Sequence, residues 1–122
     1  MVVITLQTRD ANLPRALFGV QLPPPGERRV VADEVSIVHL STTARRGLLG
    51  TDLIIKFVVE VGSQLALGVV GNWLYDIIKN SKVRAATVNA KDISSSAVGE
   101  IIAIVGEESA VPPPNSDEGA GS

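Results

Sequence analysis

The segment "TDLIIKFVVEVGSQLALGVVGNWLYDIIKN", Thr51 to Asn80, constrains this chain more than any other. It is the longest apolar region, and it holds the only Trp and the only Tyr of the 122 residues. Such a run crosses a membrane, fills a core, or forms a contact surface. A spanning helix needs about 18 to 20 residues with few charges. Lys56, Glu60 and Asp76 interrupt this one. A charge near the bilayer centre costs roughly 2.5 to 3.5 kcal/mol on insertion scales. The polar and small residues Lys56, Glu60, Gln64, Gly68, Gly71, Asn72, Tyr75 and Lys79 recur at steps of three and four. That phase runs unbroken through Gly62 and predicts one continuous helix buried on most of its surface. A second reading competes locally. "LIIKFVVEV" is β-branched and alternates, with Leu53, Ile55, Phe57, Val59 and Val61 on one side. It also fits a strand that turns at Gly62-Ser63, the helix beginning at Ser63. Residues from Gln64 to Asn80 are helical in either case.

Around this segment lie shorter elements. Val2 to Thr8 alternates and is rich in β-branched residues, which predicts a strand. Residues 9 to 27 carry Pro14, Pro23, Pro24 and Pro25 with Gly19 and Gly26, and read as a connection with a short strand at Ala16 to Gln21. The triple proline has no amide hydrogen to give a central strand. Arg29 to Ala32 and Glu34 to Leu40 read as extended, with Val35, Ile37 and His39 on one face. "STTARRGLLG" is rich in turn formers and reads as a loop. Lys82 to Ile93 reads as another strand.

In Ser94 to Gly106, the residues Val98, Ile101, Ile102 and Val105 form one apolar helical stripe, with Ser94 or Ser95 to cap the start and Gly106 the end. Residues 107 to 122 are rich in Pro, Gly and Ser and hold Glu107, Glu108, Asp117 and Glu118, which predicts a disordered acidic tail. The expected fold is therefore α+β in a single domain, residues 1–106. A small, mostly antiparallel sheet would be covered on one face by one long apolar helix and one short C-terminal helix.

Composition narrows function by exclusion. There is no Cys, so thiolate chemistry, disulfides and sulfur metal sites are out, which fits a cytoplasmic protein. The start, "MVVITLQTRD", lacks the basic opening and the apolar length of a signal peptide. Aromatics are only 3%, which leaves few stacking platforms for bases or flat cofactors. The basic pairs Arg28-Arg29 and Arg45-Arg46 lack interleaved aromatics and read as solvated loop charges, not a nucleic-acid surface. His39 is the only His, set between Val38 and Leu40 in an extended run, and reads as structural. Asp33 and Glu34 are adjacent and face opposite ways. No phosphate-loop, dinucleotide or metal-ligand spacing occurs, so the expectation is no enzyme, no cofactor and no metal.

Positive evidence lies in the helix. Gly62, Ala66, Gly68 and Gly71 are small, each Gly costing roughly 1 kcal/mol of helix propensity against Ala. Small residues let another backbone approach, either within the domain or across a subunit boundary. Gly68, Gly71, Trp73 and Tyr75 are the candidate interface residues, Trp73 being the type of residue that anchors interfaces. The expected function is a self-associating interaction module with a protein partner, or, in the alternative, a small membrane-associated protein using residues 53–78 as a span or anchor.

From Val20 onward the chain also resembles a bacterial family, the effector-associated constant components of conflict systems. The pieces are "VQLPPPGE", "GSQLALGVVGNWL", "VRAATVNA" and "AVGEIIAIV". The resemblance covers about 85 residues through compositional motifs, and implies an adaptor that pairs with a partner through protein contacts and does no catalysis.

Overall fold

The computed structural model describes residues 1–47 and 50–109. Its elements run β1 (Val2–Thr8), α1 (Leu13–Phe18), β2 (Arg28–Ala32), β3 (Val35–Gly47), β4 (Gly50–Val61), α2 (Ala66–Asn80), β5 (Val83–Val88), β6 (Lys91–Asp92) and α3 (Val98–Glu108). The fold is α+β. Six strands form one sheet in the order β2-β3-β4-β1-β5-β6, and every neighbouring pair is antiparallel. β4 and β5 both run against β1, which lies between them, so they are parallel to each other and α2 carries the chain across.

The alternation seen in β1 sets the core. Val2, Ile4, Leu6 and Thr8 are buried, while Val3, Thr5 and Gln7 are only half-buried. In register, Ile4 stands between Phe57 and Val88, and Leu6 between Ile55 and Ala86, so the inward rows of three strands coincide. Val35, Ile37 and His39 continue the inward face on β3, as the alternation predicts. Leu13, Leu17 and Phe18 of α1, Val70 and Leu74 of α2, and Ile101 and Val105 of α3 complete the same cluster. Among the described residues the opposite face of the sheet carries no helix.

Several expectations are corrected. The continuous helix from Thr51 to Asn80 does not form. Residues up to Val61 are the central strand β4, paired with β3 on one side and β1 on the other, and the helix begins at Ala66. Local phase allowed both states; two full ladders of backbone hydrogen bonds, one to the hairpin partner β3 and one to the distant β1, select the strand. With that, no helix among the described residues is long and apolar enough to cross a membrane.

"STTARRG" is not a loop either. β3 runs on to Gly47 against β4, with Arg45 opposite Asp52 and Gly47 opposite Gly50. Thr42 and Thr43 are β-branched and suit a ribbon as well as a turn. The expected strand at Ala16 to Gln21 is the end of α1. Pro14 sits in its first turn, where a missing N–H costs nothing, and Gly19 closes it at φ 79° with its N–H on the Arg15 carbonyl.

The single strand at Lys82 to Ile93 is instead a tight hairpin. Val88 faces Lys91 across Asn89 and Ala90, both left-handed, which is the turn whose twist matches paired strands.

At α3 the cap residues also shift. The Ala97 N–H donates to the Glu100 carboxylate, while Ser94 Oγ accepts from the Ala86 N–H. The helix passes through Gly106 to Glu108, and Glu107 and Glu108 both pair with Lys91. The rest of the expected tail, residues 110–122, lies outside the described residues.

Candidate functional site: the uncovered face of the sheet

The four residues marked on α2 do not share one surface. Gly71 is buried against α3, where a Cβ would stand 2.3 Å from Ile102 Cγ1. The close approach it permits is used within the chain. Trp73 lies edge-on to Phe57 with ring centroids 6.0 Å apart. Phe57 meets Phe18 at 6.1 Å, and Phe18 meets His39 at 5.1 Å. These four rings tie α2, β4, α1 and β3 together. Tyr75 is half-buried against the core, with the Lys79 ammonium 5.5 Å from its ring centre. Gly68 alone has open space where a side chain would be.

His39 is held at both ring nitrogens. Nδ1 lies 3.1 Å from the Pro24 carbonyl and Nε2 2.7 Å from Thr42 Oγ1. A carbonyl only accepts, so Nδ1 carries the hydrogen and, in the neutral ring, Nε2 accepts from the Thr42 hydroxyl. The ring staples the proline segment onto β3. Leu22, Pro23, Pro25, Leu40, Ser41 and Thr42 border a cavity of about 260 Å³ beside it. His39 is 2% exposed and its hydrogen bonds are satisfied, so it is a structural residue, as its setting in the sequence predicts.

What the fold leaves open is the outer face of the sheet. Val3, Val58 and Val38 stand side by side on β1, β4 and β3, because Val58 is the register partner of both others. Ile54 lies four residues along β4 on the same face. Lys56 and Glu60 lie on either side of Val58. Glu60 is paired with Arg28 of β2, reaching across β3, whereas Lys56 has no ion-pair partner among the described residues.

At the far end of this face is Asp52, whose carboxyl is held below the usual carboxylate range. The first cause is the hydrogen bond from Gln7, opposed by desolvation and aided by Arg84 and Arg9. None of these outer residues stood out in the sequence as a set. The alternation was visible, but which side the helices would cover depends on pairings more than fifty residues apart.

Among the described residues no cluster of His, Asp and Glu has the makings of a metal site. Comparison with protein-family models, with curated proteins and with solved structures finds no match to this chain.

Proposed function

We propose that this chain is a non-catalytic protein–protein interaction module of the cytoplasm that associates with a second copy of itself through the uncovered face of its sheet. The observation that carries the reading is the row Val3–Val58–Val38, with Lys56 and Glu60 spaced evenly on either side of it. Two antiparallel sheets pack face to face through such apolar rows, about 10 Å apart. A two-fold axis lying between two copies, along the valine row, brings each valine against its counterpart. The same axis carries Lys56 of one copy over Glu60 of the other, each about 7 Å from the axis at the rise of a strand. The face is thus complementary to itself in shape and in charge, as a closed dimer requires. An adaptor role, of the kind that the resemblance to effector-associated components implies, would use such a dimer to present its remaining surfaces to a partner.

The test is light scattering coupled to size exclusion. The wild type is expected as a dimer and Val58→Asp as a folded monomer. Lys56→Glu should weaken the dimer by setting like charges opposite each other, and Lys56→Glu with Glu60→Lys should recover it. A wild-type monomer at high concentration, or a Val58→Asp dimer, overturns the reading.

A second reading keeps the helix as the contact surface. Leu65 is 91% exposed at the start of α2, and Val69 and the open Gly68 lie on the following turn. Leu65→Lys separates the two, since it should abolish association only if α2 forms the interface.

A further inference from the structure

A second site lies at one end of the sheet, where the backbone departs from regular pairing. In the β1–β5 ladder Gln7 faces Ala85 but Thr8 faces Val83, so Arg84 is an extra residue. Without this bulge Arg84 would point to the helix-covered face, since Ala86 two positions on is buried there. The bulge turns it outward, to within 3.3 Å of Asp52 Oδ2. Bulges commonly re-aim a side chain beside a site.

The residue before this stretch is also unusual. Lys82 is left-handed at φ 53°, a conformation that costs a non-glycine residue about 1 kcal/mol or more. Its carbonyl is fixed there by the Arg9 N–H at 3.3 Å, while the Thr8 hydroxyl donates to the neighbouring Ser81 carbonyl at 2.6 Å. The result is a depression of about 440 Å³ lined by Arg9, Lys82, Val83 and Arg84.

Asp52 organises the depression. Its side chain is only 13% exposed and takes a 2.8 Å hydrogen bond from Gln7 Nε2. Arg9 Nε lies 3.5 Å from its Oδ1, an oxygen that is buried and without a hydrogen bond. One carboxylate therefore holds two guanidiniums, each by a single nitrogen, so each keeps N–H donors for another ligand. Lys82 has no ion-pair partner among the described residues. The other nearby acid, Asp10, is turned toward α1, where it accepts from the Asn12 N–H. Arg9, Lys82 and Arg84 thus line the depression, and Arg45 is the register partner of Asp52 on its other side.

We propose that Arg9, Lys82 and Arg84 form a binding site for the phosphate group of a phosphate monoester, with Asp52 as the residue that positions both arginines. The cations that line the depression give it an excess of positive charge, which favours an anion. Donors from three side chains suit a tetrahedral group with three free oxygens better than a carboxylate with two. The cavity exceeds one phosphate, which leaves room for the atoms that carry it. This site is independent of the self-association proposed above.

The test is an amide NMR titration of the full chain with inorganic phosphate, and with sodium chloride at matched ionic strength. Saturable shifts are expected at Arg9 and Lys82 to Arg84 with phosphate alone. Arg84→Gln should weaken binding at least fivefold, with Arg15→Gln, exposed on α1, leaving it unchanged. Asp52→Asn decides the positioning role. It makes the depression more positive, so simple charge attraction predicts tighter binding. Loss of the anchor predicts binding at least threefold weaker. Gln7→Ala, which loosens Asp52 without changing charge, should weaken binding too and serves if Asp52→Asn fails to fold. Glycerol 3-phosphate and N-acetyl-phosphoserine amide form the last arm, in which tighter binding of either than of inorganic phosphate supports the site and names its source. Equal shifts with chloride, or tighter binding by Asp52→Asn, overturn the proposal.

Discussion

The two faces of the sheet are built from the same strands and nearly the same residue types, yet they do different work. On the helix-covered face, Ile4, Leu6, Ile37, Ile55 and Phe57 are fully buried, and among the described residues the only buried polar ones are Thr8 and His39. On the other face, valines alternate with Lys56, Glu60 and Asp52, and four charged side chains pair across strands, Arg28 with Glu60 and Arg84 with Asp52. The contrast teaches that apolar content does not distinguish a covered face from an uncovered one. What distinguishes them is whether charged residues share the row. A core row excludes charge because an unpaired buried charge is costly, whereas a surface row can hold it.

Neighbouring residues on β4 give the strongest test of this comparison. Phe57 is fully buried and meets both Phe18 and Trp73 edge-on. Phe57→Ala should lose about 3 to 5 kcal/mol of stability through lost burial and the cavity left behind. Val58→Ala, one residue on and facing the other way, should cost the monomer far less. Urea denaturation of both variants at low protein concentration, with Lys56→Glu to weaken the dimer where needed, gives the ratio. Similar losses from the two would mean that the outer face is covered as well.

Next in size is the joint between α2 and α3. Gly71→Ala puts a methyl 2.3 Å from Ile102 Cγ1, which is not the far end of that side chain and has little room to swing away. The expected loss is about 1 to 3 kcal/mol, the usual range for overpacking. Ile102→Val with Gly71→Ala should not fully restore it, because valine keeps a γ carbon where Ile102 Cγ1 stands 2.3 Å from the new methyl. A neutral Gly71→Ala in thermal unfolding would show that the helices separate easily and that Gly71 is free for another partner.

Acid should act through the uncovered face and the sheet edge, because the carboxylates are there. Asp52 is held low by Gln7 first, Asp92 by the Ser94 hydroxyl, and Glu108 by the Lys91 ammonium. A carboxyl with a lowered folded pKa adds stability above its unfolded value near 4, and that stability fades as pH falls through the lower folded value. Lys91 is raised above its ordinary value by Glu107 and Glu108. Its contribution holds below the ordinary lysine value and is lost as pH rises through the raised one. Stability should therefore be level from about pH 5 to 9 and fall on both sides. Asp52→Asn should flatten the acid limb as read by urea midpoints, and an unchanged limb would remove Asp52 from the account.

The same contrast explains what could be read in advance. β1 was legible to the residue, because its alternation is strict and β-branched, and the inward set Val35, Ile37 and His39 followed from the same rule. α2 from Ala66 onward was legible from its stripe. β4 was not settled, because a period of two and a period of 3.6 both fitted Leu53 to Val61 and the helical phase happened to continue through Gly62. Only its pairing separates the two: with β1, far off in sequence, and with β3 through a hairpin whose outer end reads as a loop. The uncovered face shares that difficulty, since Val3, Val38 and Val58 become one row only in register. Arg84 is harder still, as its direction depends on a bulge that no local pattern announces.

The smallest effect is at Gly68, and it probes the outer side of α2. Gly68 and Gly71 are one turn apart and were indistinguishable as small residues in an apolar helix. Gly71 has a neighbour that forbids a side chain; Gly68 has nothing within 4 Å of where a Cβ would lie. Its carbonyl accepts from the Asn72 side chain, an exposed contact that a methyl at residue 68 leaves in place. Gly68→Ala should therefore stabilise the protein by about 0.4 to 1 kcal/mol, the gain from restricting the unfolded chain and restoring helix propensity. Thermal unfolding at low protein concentration reads this directly. At high concentration the same variant tests the helix as a contact surface. If another backbone sits against Gly68, the added methyl should lower association while raising the stability of the monomer. If the dimer forms through the valine row, association should not change. A stabilised monomer with an undisturbed dimer would leave the outer face of α2 as solvent-facing surface and confine self-association to the sheet.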